Sequence, residues 1–225
     1  MGKYGISSYT SEDIYQLLKG EILSLHLLPG QRISENELAQ RFNSSRTPVH
    51  SAFMRLKSDG LVNIFPQKGS YVSLIDREGI QQIIFLRVQL ERAIYKEAAN
   101  TWTADFLRDL DENLEQQQRE VDRGPSANDF FMISNQYHKL YYAFTEKEKL
   151  WHNMEAMQSD YIRYRKLTYS IPGHCALKLE QHRLLRRLVE ERDMEGIEQF
   201  VPDHISGEME SLQQQSEDFL DFFVE

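Results

Sequence analysis

Residues 33–72 read ISENELAQRFNSSRTPVHSAFMRLKSDGLVNIFPQKGSYV, and the spacing of the parts decides the fold. Ser34 with Glu37 three residues later fits a capping box, and Leu38 and Phe42 give the short helix behind it an apolar stripe. Asn43 suits a left-handed break, because its short polar side chain tolerates that conformation. Ser44 or Ser45 caps a further helix whose stripe is Val49, Phe53 and Leu56 and which Asp59-Gly60 ends. Residues 61–65 and 70–73 then alternate as strands around Pro66-Gln67-Lys68-Gly69. Upstream, Ser11, Glu12 and Asp13 start a helix with the stripe Ile14, Leu17, Leu18, Ile22 and Leu25, stopped by Pro29-Gly30. The order is that of a winged helix-turn-helix, in which one helix is offered to a DNA major groove with a hairpin beside it.

On the third helix, Arg46, Thr47, His50 and Arg55 face away from the apolar stripe. Arg46 stands at the helix start, the part that enters a groove deeply, where it can reach base edges or phosphate. Ser45 and Thr47 can hydrogen-bond phosphates at the positive end of the helix dipole. Lys68, followed by Gly69, sits at the wing tip for a backbone or minor-groove contact. Each residue alone fits a solvated face equally well; their arrangement on one side of a winged helix points to double-stranded DNA.

The composition permits this reading. At 225 residues the chain has length for two domains, with 40% apolar and 27% charged residues, and no apolar run long enough to span a bilayer. The first residues lack the apolar core of a secretory signal, and Gly2 alone is too little for a lipidation signal. The lone Cys175 rules out an internal disulfide and suits a reducing cytoplasm. A net charge of −9 argues at first against nucleic acid, yet residues 1–73 carry eight Lys/Arg against six Asp/Glu, and the rest carries 18 against 29. A mildly basic head on an acidic body places an anionic partner at one end.

From Asp76 onward the pattern is helical, and the division expected is residues 1–75 for the head and 76–225 for the body. Stripes built on Ile83 to Ile94, on Phe106, Leu110 and Leu114, over 128–144, 151–169, 177–191 and 194–219 predict six helices in an antiparallel bundle. His138, His182 and His204 fall on different helices beside apolar residues. A helical histidine is more often a hydrogen-bonded core residue, but three inward imidazoles can hold a first-row divalent cation and leave positions open for a small anion. His26, His152 and His174 are expected at the surface. Tyr161, Arg163, Tyr164 and Arg165 either line the same pocket or belong to an ordinary amphipathic helix. The acidic, aromatic run 213–225 is expected either to pack on a second protomer or to fray.

The head resembles the GntR family of bacterial transcription regulators through Pro29-Gly30, Ser34-Glu35, Leu38-Ala39, Ser45-Arg46-Thr47-Pro48-Val49, Leu56, Asp59-Gly60-Leu61-Val62 and Gly69-Ser70-Tyr71-Val72. The chain departs at His50-Ser51, where the family usually has Arg-Glu, so a DNA-contacting arginine is exchanged for histidine. The body resembles the FCD effector domain, and its expected six helices suggest the VanR-like branch of the FadR subfamily. The matching pieces are Arg87-x-x-x-Glu91, Tyr137-His138, Glu180-Gln181-His182 and Asp193 before Asp203-His204-Ile205. The resemblance implies that His138, His182 and His204 hold a divalent metal (Zn, Ni or Mn) which helps grip a small carboxylate effector. It also implies that Arg87 pairs with that carboxylate. Here too there is a departure: Ser134 stands where an aspartate ligand is expected, with Asn135 next to it. That leaves a weaker three-histidine site, one completed by Asn135 or water, or a metal-free pocket. Effector contacts are therefore expected from Arg87, Asn135 and Arg163.

The leading reading is a cytoplasmic homodimer, a repressor or activator on a pseudo-palindromic operator, released or engaged by a small acid. The rival from another class is a metal-dependent hydrolase on the three histidines, which lacks a general base at any recognisable spacing and leaves the head unexplained.

Overall fold

The computed structural model describes residues 9–206 and 217–224. They divide into two compact units, residues 1–76 with 218–225, and residues 77–217. Each has its own apolar core.

In the first unit, α1 (Ser11–Leu23), α2 (Glu35–Arg41) and α3 (Arg46–Ser58) are followed by the wing strands β2 (Val62–Phe65) and β3 (Gly69–Val72). The expected winged helix is therefore present. α1 starts one residue earlier than its capping pattern suggests: Thr10 is the cap, accepting from the Asp13 amide while Asp13 accepts from the Thr10 amide. Asn43 takes the left-handed turn, with φ of 44°. Ile14, Leu18, Ile22, Leu38, Val49, Phe53 and Leu56 form the core with Leu61, Val62 and Val72. Leu17 lies outside this core, 42% exposed. A third strand, β1 (Arg32–Ile33), was absent from the sequence expectation. It pairs antiparallel with β3, Arg32 opposite Tyr71, and gives the sheet order β1-β3-β2.

Of the acidic tail, residues 218–224 have a place in the head. Ile75 donates to the Phe222 carbonyl at 2.8 Å and accepts from the Val224 amide at 3.0 Å, a parallel bridge, while residues 217–222 form a turn of 3-10 helix. This end of the chain thus joins the head and not the bundle. The remainder of the 194–219 helix expectation, at 207–216, lies outside the described residues.

The second unit is all helical, as expected, but holds seven α-helices among the described residues where six were expected. They are α4 (Arg77–Thr101), α5 (Ala104–Asp122), α6 (Ala127–Phe144), α7 (Glu148–Ala156), α8 (Ser159–Tyr169), α9 (His174–Glu191) and α10 (Met194–Ser206). The stretch 151–169 breaks at Met157-Gln158, where no Gly or Pro announces the break. The VanR-like branch, which rested on six helices, loses that support. Gly173, at φ of 85°, supplies the left-handed residue that opens α9.

Candidate nucleic-acid interface and buried histidine centre

At the head, α3 begins at Arg46. Ser45 is the N-cap residue but makes no side-chain cap bond, so its hydroxyl and the first amides of α3 remain open to an anion. Ser45, Arg46, Thr47 and Lys68 are exposed. No hydrogen bond or ion pair of the Arg46, Thr47 or Lys68 side chains occurs among the described residues. His50 is exposed as well, with Nδ1 3.1 Å from Glu35 Oε1 at the start of α2. Gly69 has a φ of +113°, which favours glycine at the turn into β3.

Arg55 is exposed too, and it has partners within the head. Nine positions beyond Arg46, about two and a half turns, it pairs with Glu12 of α1 and lays its guanidinium 3.9 Å from the centre of the Tyr15 ring. Its partners are inside the domain, and its side chain stays 47% exposed.

In the second unit, the three histidines from α6, α9 and α10 converge, as the family resemblance implied. All are buried, and one ring nitrogen of each lies within 4.8 Å of the others. What orients them was only partly visible in sequence. The Ile133 carbonyl accepts from Asn113 Nδ2 (3.1 Å), Asn113 Oδ1 accepts from Gln117 Nε2 (2.8 Å), and Gln117 Oε1 faces His182 Nδ1 at 2.7 Å. A main-chain carbonyl can only accept, so this relay makes Nδ1 of His182 the protonated nitrogen. At His138, Nδ1 lies 2.7 Å from the Tyr95 hydroxyl and 3.1 Å from Glu91 Oε2, while the hydroxyl itself donates to that carboxylate. At His204, Nδ1 faces Gln181 Oε1 at 3.0 Å.

Each Nδ1 thus faces an oxygen, and with the proton on Nδ1, as the relay requires at His182, Nε2 carries a lone pair. His138 Nε2 and His182 Nε2 face each other at 3.4 Å, and His204 Nε2 is buried with no hydrogen-bond partner among the described residues. Burial pulls the His138 imidazole down to about 4 and the other two well below their ordinary value, so all three are neutral near pH 7. Such an arrangement of unprotonated nitrogens, each fixed from behind, fits a divalent cation. Imidazole nitrogens about 2.1 Å from a tetrahedral zinc stand about 3.4 Å apart.

Beside the histidines, Arg87 Nε donates to Glu91 Oε1 at 2.7 Å, both residues fully buried. Burial opposes ionisation of both groups, but the charge of Arg87, helped by hydrogen bonds from His138 and Tyr95, outweighs it at Glu91 and keeps its carboxyl far below the usual range. Arg87 Nη1 has no hydrogen-bond partner among the described residues, and its guanidinium lies 4.9 Å from the Tyr161 ring centre. The positive charge of Arg165 also reaches all three histidines.

The neighbouring residues singled out in the sequence have partners of their own. Ser134 Oγ accepts from Arg165 Nη2 at 2.9 Å and lies 3.2 Å from the Tyr169 hydroxyl. Asn135 donates to Glu155 of α7 at 3.2 Å. Arg163 is buried and pairs with Asp160 one turn back on α8. His174, expected at the surface, is buried at 9% exposure, while His152 is exposed. Tyr95, Gln117 and Gln181 went unrecognised in the sequence, because a residue that anchors a histidine from behind follows no spacing rule.

A winged helix joined to an all-helical domain is the architecture of a transcription regulator. Residues 10–72 match the family described as bacterial regulatory proteins, gntR family, and residues 82–207 match the FCD domain. The chain belongs to the GntR family, with an FCD domain behind its DNA-reading head. It is 30% identical to the HTH-type transcriptional repressor RspR of Escherichia coli K12 over 96% of this chain and 94% of that protein. It is 25% identical to the uncharacterised HTH-type transcriptional regulator YdhC of Bacillus subtilis, over 88% of each. Among solved structures, Escherichia coli McbR/YncC shares the fold with a TM-score of 0.70 at 22% identity, covering 91% of this chain and 97% of that one. A GntR-type regulator from Rhodococcus aligns with a TM-score of 0.68 at 15% identity, over 92% and 98%. These families are transcription regulators and not enzymes, which removes the hydrolase alternative. No helix among the described residues is long and apolar enough to cross a membrane.

Proposed function

We propose that this regulator is a cytoplasmic homodimer that binds a pseudo-palindromic operator and responds to a small carboxylate. The acid enters the helical unit beside Arg87, where a divalent cation on His138, His182 and His204 completes the site. The observation that carries this reading is the convergence of three buried imidazoles, with ring nitrogens within 4.8 Å of one another, two Nε2 atoms 3.4 Å apart and every Nδ1 facing an oxygen. Bare lone pairs in that arrangement repel one another and forgo hydrogen bonds, a cost that a cation removes. The cation would supply a positive centre that a carboxylate can ligate, while Arg87, whose Nη1 has no partner among the described residues, offers a second contact. With Ser134 and not a carboxylate one turn before His138, the ligand set is uncharged, and the loaded centre keeps the full charge of the ion for an anion to neutralise.

The test is elemental analysis of the purified protein, followed by titration of chelator-stripped protein with ZnCl2, NiCl2 and MnCl2 and then with a panel of small mono- and dicarboxylates. About one ion per chain is expected, with binding abolished in His182→Ala, and the acids should bind the loaded protein at least tenfold more tightly than the stripped one. Stripped protein that takes up none of the three ions would overturn the metal. Acids that bind equally with and without metal would assign the pocket to Arg87 alone.

A further inference from the structure

β1 brings to the wing a residue that no helix pattern contains. Arg32 pairs in register with Tyr71, and β3 pairs with β2 so that Asn63 faces Tyr71 and Phe65 faces Gly69. Cross-strand partners share a face and alternate residues return to it, so Arg32, Asn63, Phe65, Gly69 and Tyr71 lie on one side of the sheet. Ile33, Val62, Ser70 and Val72 lie on the other side and are buried. On the outer side, Arg32, Asn63 and Phe65 are exposed. Phe65 and Tyr71 meet edge to face at 6.0 Å between ring centres, and the Tyr71 hydroxyl donates to the Lys68 carbonyl at 3.2 Å.

Across this face the Arg32 side chain runs toward the wing tip. A Cβ added to Gly69 would come within 3.2 Å of Arg32 Nε, 3.6 Å of Nη2 and 3.8 Å of Cζ. The guanidinium therefore lies over the one position on β3 that has no side chain, next to Lys68. Arg32 makes no hydrogen bond or ion pair among the described residues. An arginine held in extended form against a strand has surrendered part of its rotamer freedom before any partner arrives, which lowers the cost of a later contact.

We propose that Arg32 is a DNA-backbone contact of the wing: with Lys68 it forms a two-cation clamp on phosphates beside the groove that α3 enters, and Gly69 is the seat that carries its guanidinium to the tip. A guanidinium suits this task because its fork can donate two parallel hydrogen bonds to one phosphate. The proposal rests on the DNA-binding reading of the head, and the controls separate the two.

The experiment uses the full-length protein and two 30-base-pair duplexes, one of random sequence and one selected by the wild-type protein from a random pool. Affinity is measured against salt concentration. Arg32→Gln is expected to weaken both duplexes by about tenfold and to reduce the slope of log K against log salt by about 0.9, the signature of one lost phosphate contact. Arg32→Lys restores the slope, because charge and reach are kept, which a purely structural role would not produce. Gly69→Ala should weaken binding strongly in wild type and much less in the Arg32→Gln background, since both changes remove the same seated guanidinium. Wild-type protein that binds neither duplex would defeat the DNA-binding reading itself. Wild-type binding with an unchanged slope in Arg32→Gln would overturn the clamp alone. Loss confined to the selected duplex would also overturn it, in favour of base readout by Arg32.

Discussion

At the scale of single residues, buried charge governs the bundle. Lys166 on α8 shows it most simply: its side chain is 8% exposed, its ammonium lies 4.9 Å from the centre of the Phe131 ring, and it makes no ion pair among the described residues. Burial brings the amine down to about 8 from an ordinary value of 10.5. The sign follows from linkage: between about pH 8 and 10.5 the unfolded chain holds a proton that the folded chain has released, so stability rises with pH across that window and is lowest below it. Lys166→Met is expected to raise the melting temperature at pH 7 and to flatten the rise that wild type shows from pH 8 to 10. Calorimetry across that range checks it, and identical curves for the two proteins would show that the amine is as well solvated folded as unfolded. Ser134 makes a related point. A hydroxyl stands where the resemblance called for a carboxylate, and it is engaged by Arg165 and Tyr169. The change was visible in the sequence; its new partners were not.

At the scale of elements, α3 separates two arginines that the sequence grouped together. Arg46 has no partner among the described residues and stands where the helix begins; Arg55 is tied to Glu12 and Tyr15. Arg46→Ala should weaken duplex binding by about tenfold and lower the salt slope by about 0.9. Arg55→Ala should leave that slope intact and lower the melting temperature instead. Salt-dependent binding isotherms and thermal melts of both variants check the pair, and a slope lowered by Arg55→Ala would return that residue to the interface. The hairpin and three helices of the head were legible because caps, breaks and apolar periodicity are local. β1 was not, since two residues carry no periodicity and the strand exists only because β3 offers it an edge. The break at Met157-Gln158 was hidden for a similar reason: no breaker residue marks it, and the burial of Trp151, Met154, Tyr161 and Tyr164 continues through it.

At the scale of the molecule, a head that reads DNA and a body that closes around a polar centre are coupled only if ligand and operator alter each other's affinity. Whatever factor an acid imposes on operator binding, the operator must impose on binding of the acid, because the two paths to the doubly bound state share their end points. Isothermal titration of a binding acid into protein with and without operator duplex should show a change equal to that acid's effect in a gel shift. Equal affinities, beside a gel shift that the acid does alter, would break the cycle and point to a second site. Local signals in the sequence determined the winged head, the all-helical body, the family and the three histidines, because caps, stripes and motifs act over a few residues of chain. Only the tertiary structure decided which nitrogen of each histidine is free, where Asn135, Arg55 and the acidic tail go, and that Arg32 lies over Gly69. Those outcomes depend on partners far apart in sequence, from 20 residues for Asn135 with Glu155 and 65 for Gln117 with His182 to 147 for Ile75 with Phe222, and no local pattern encodes a contact at that distance.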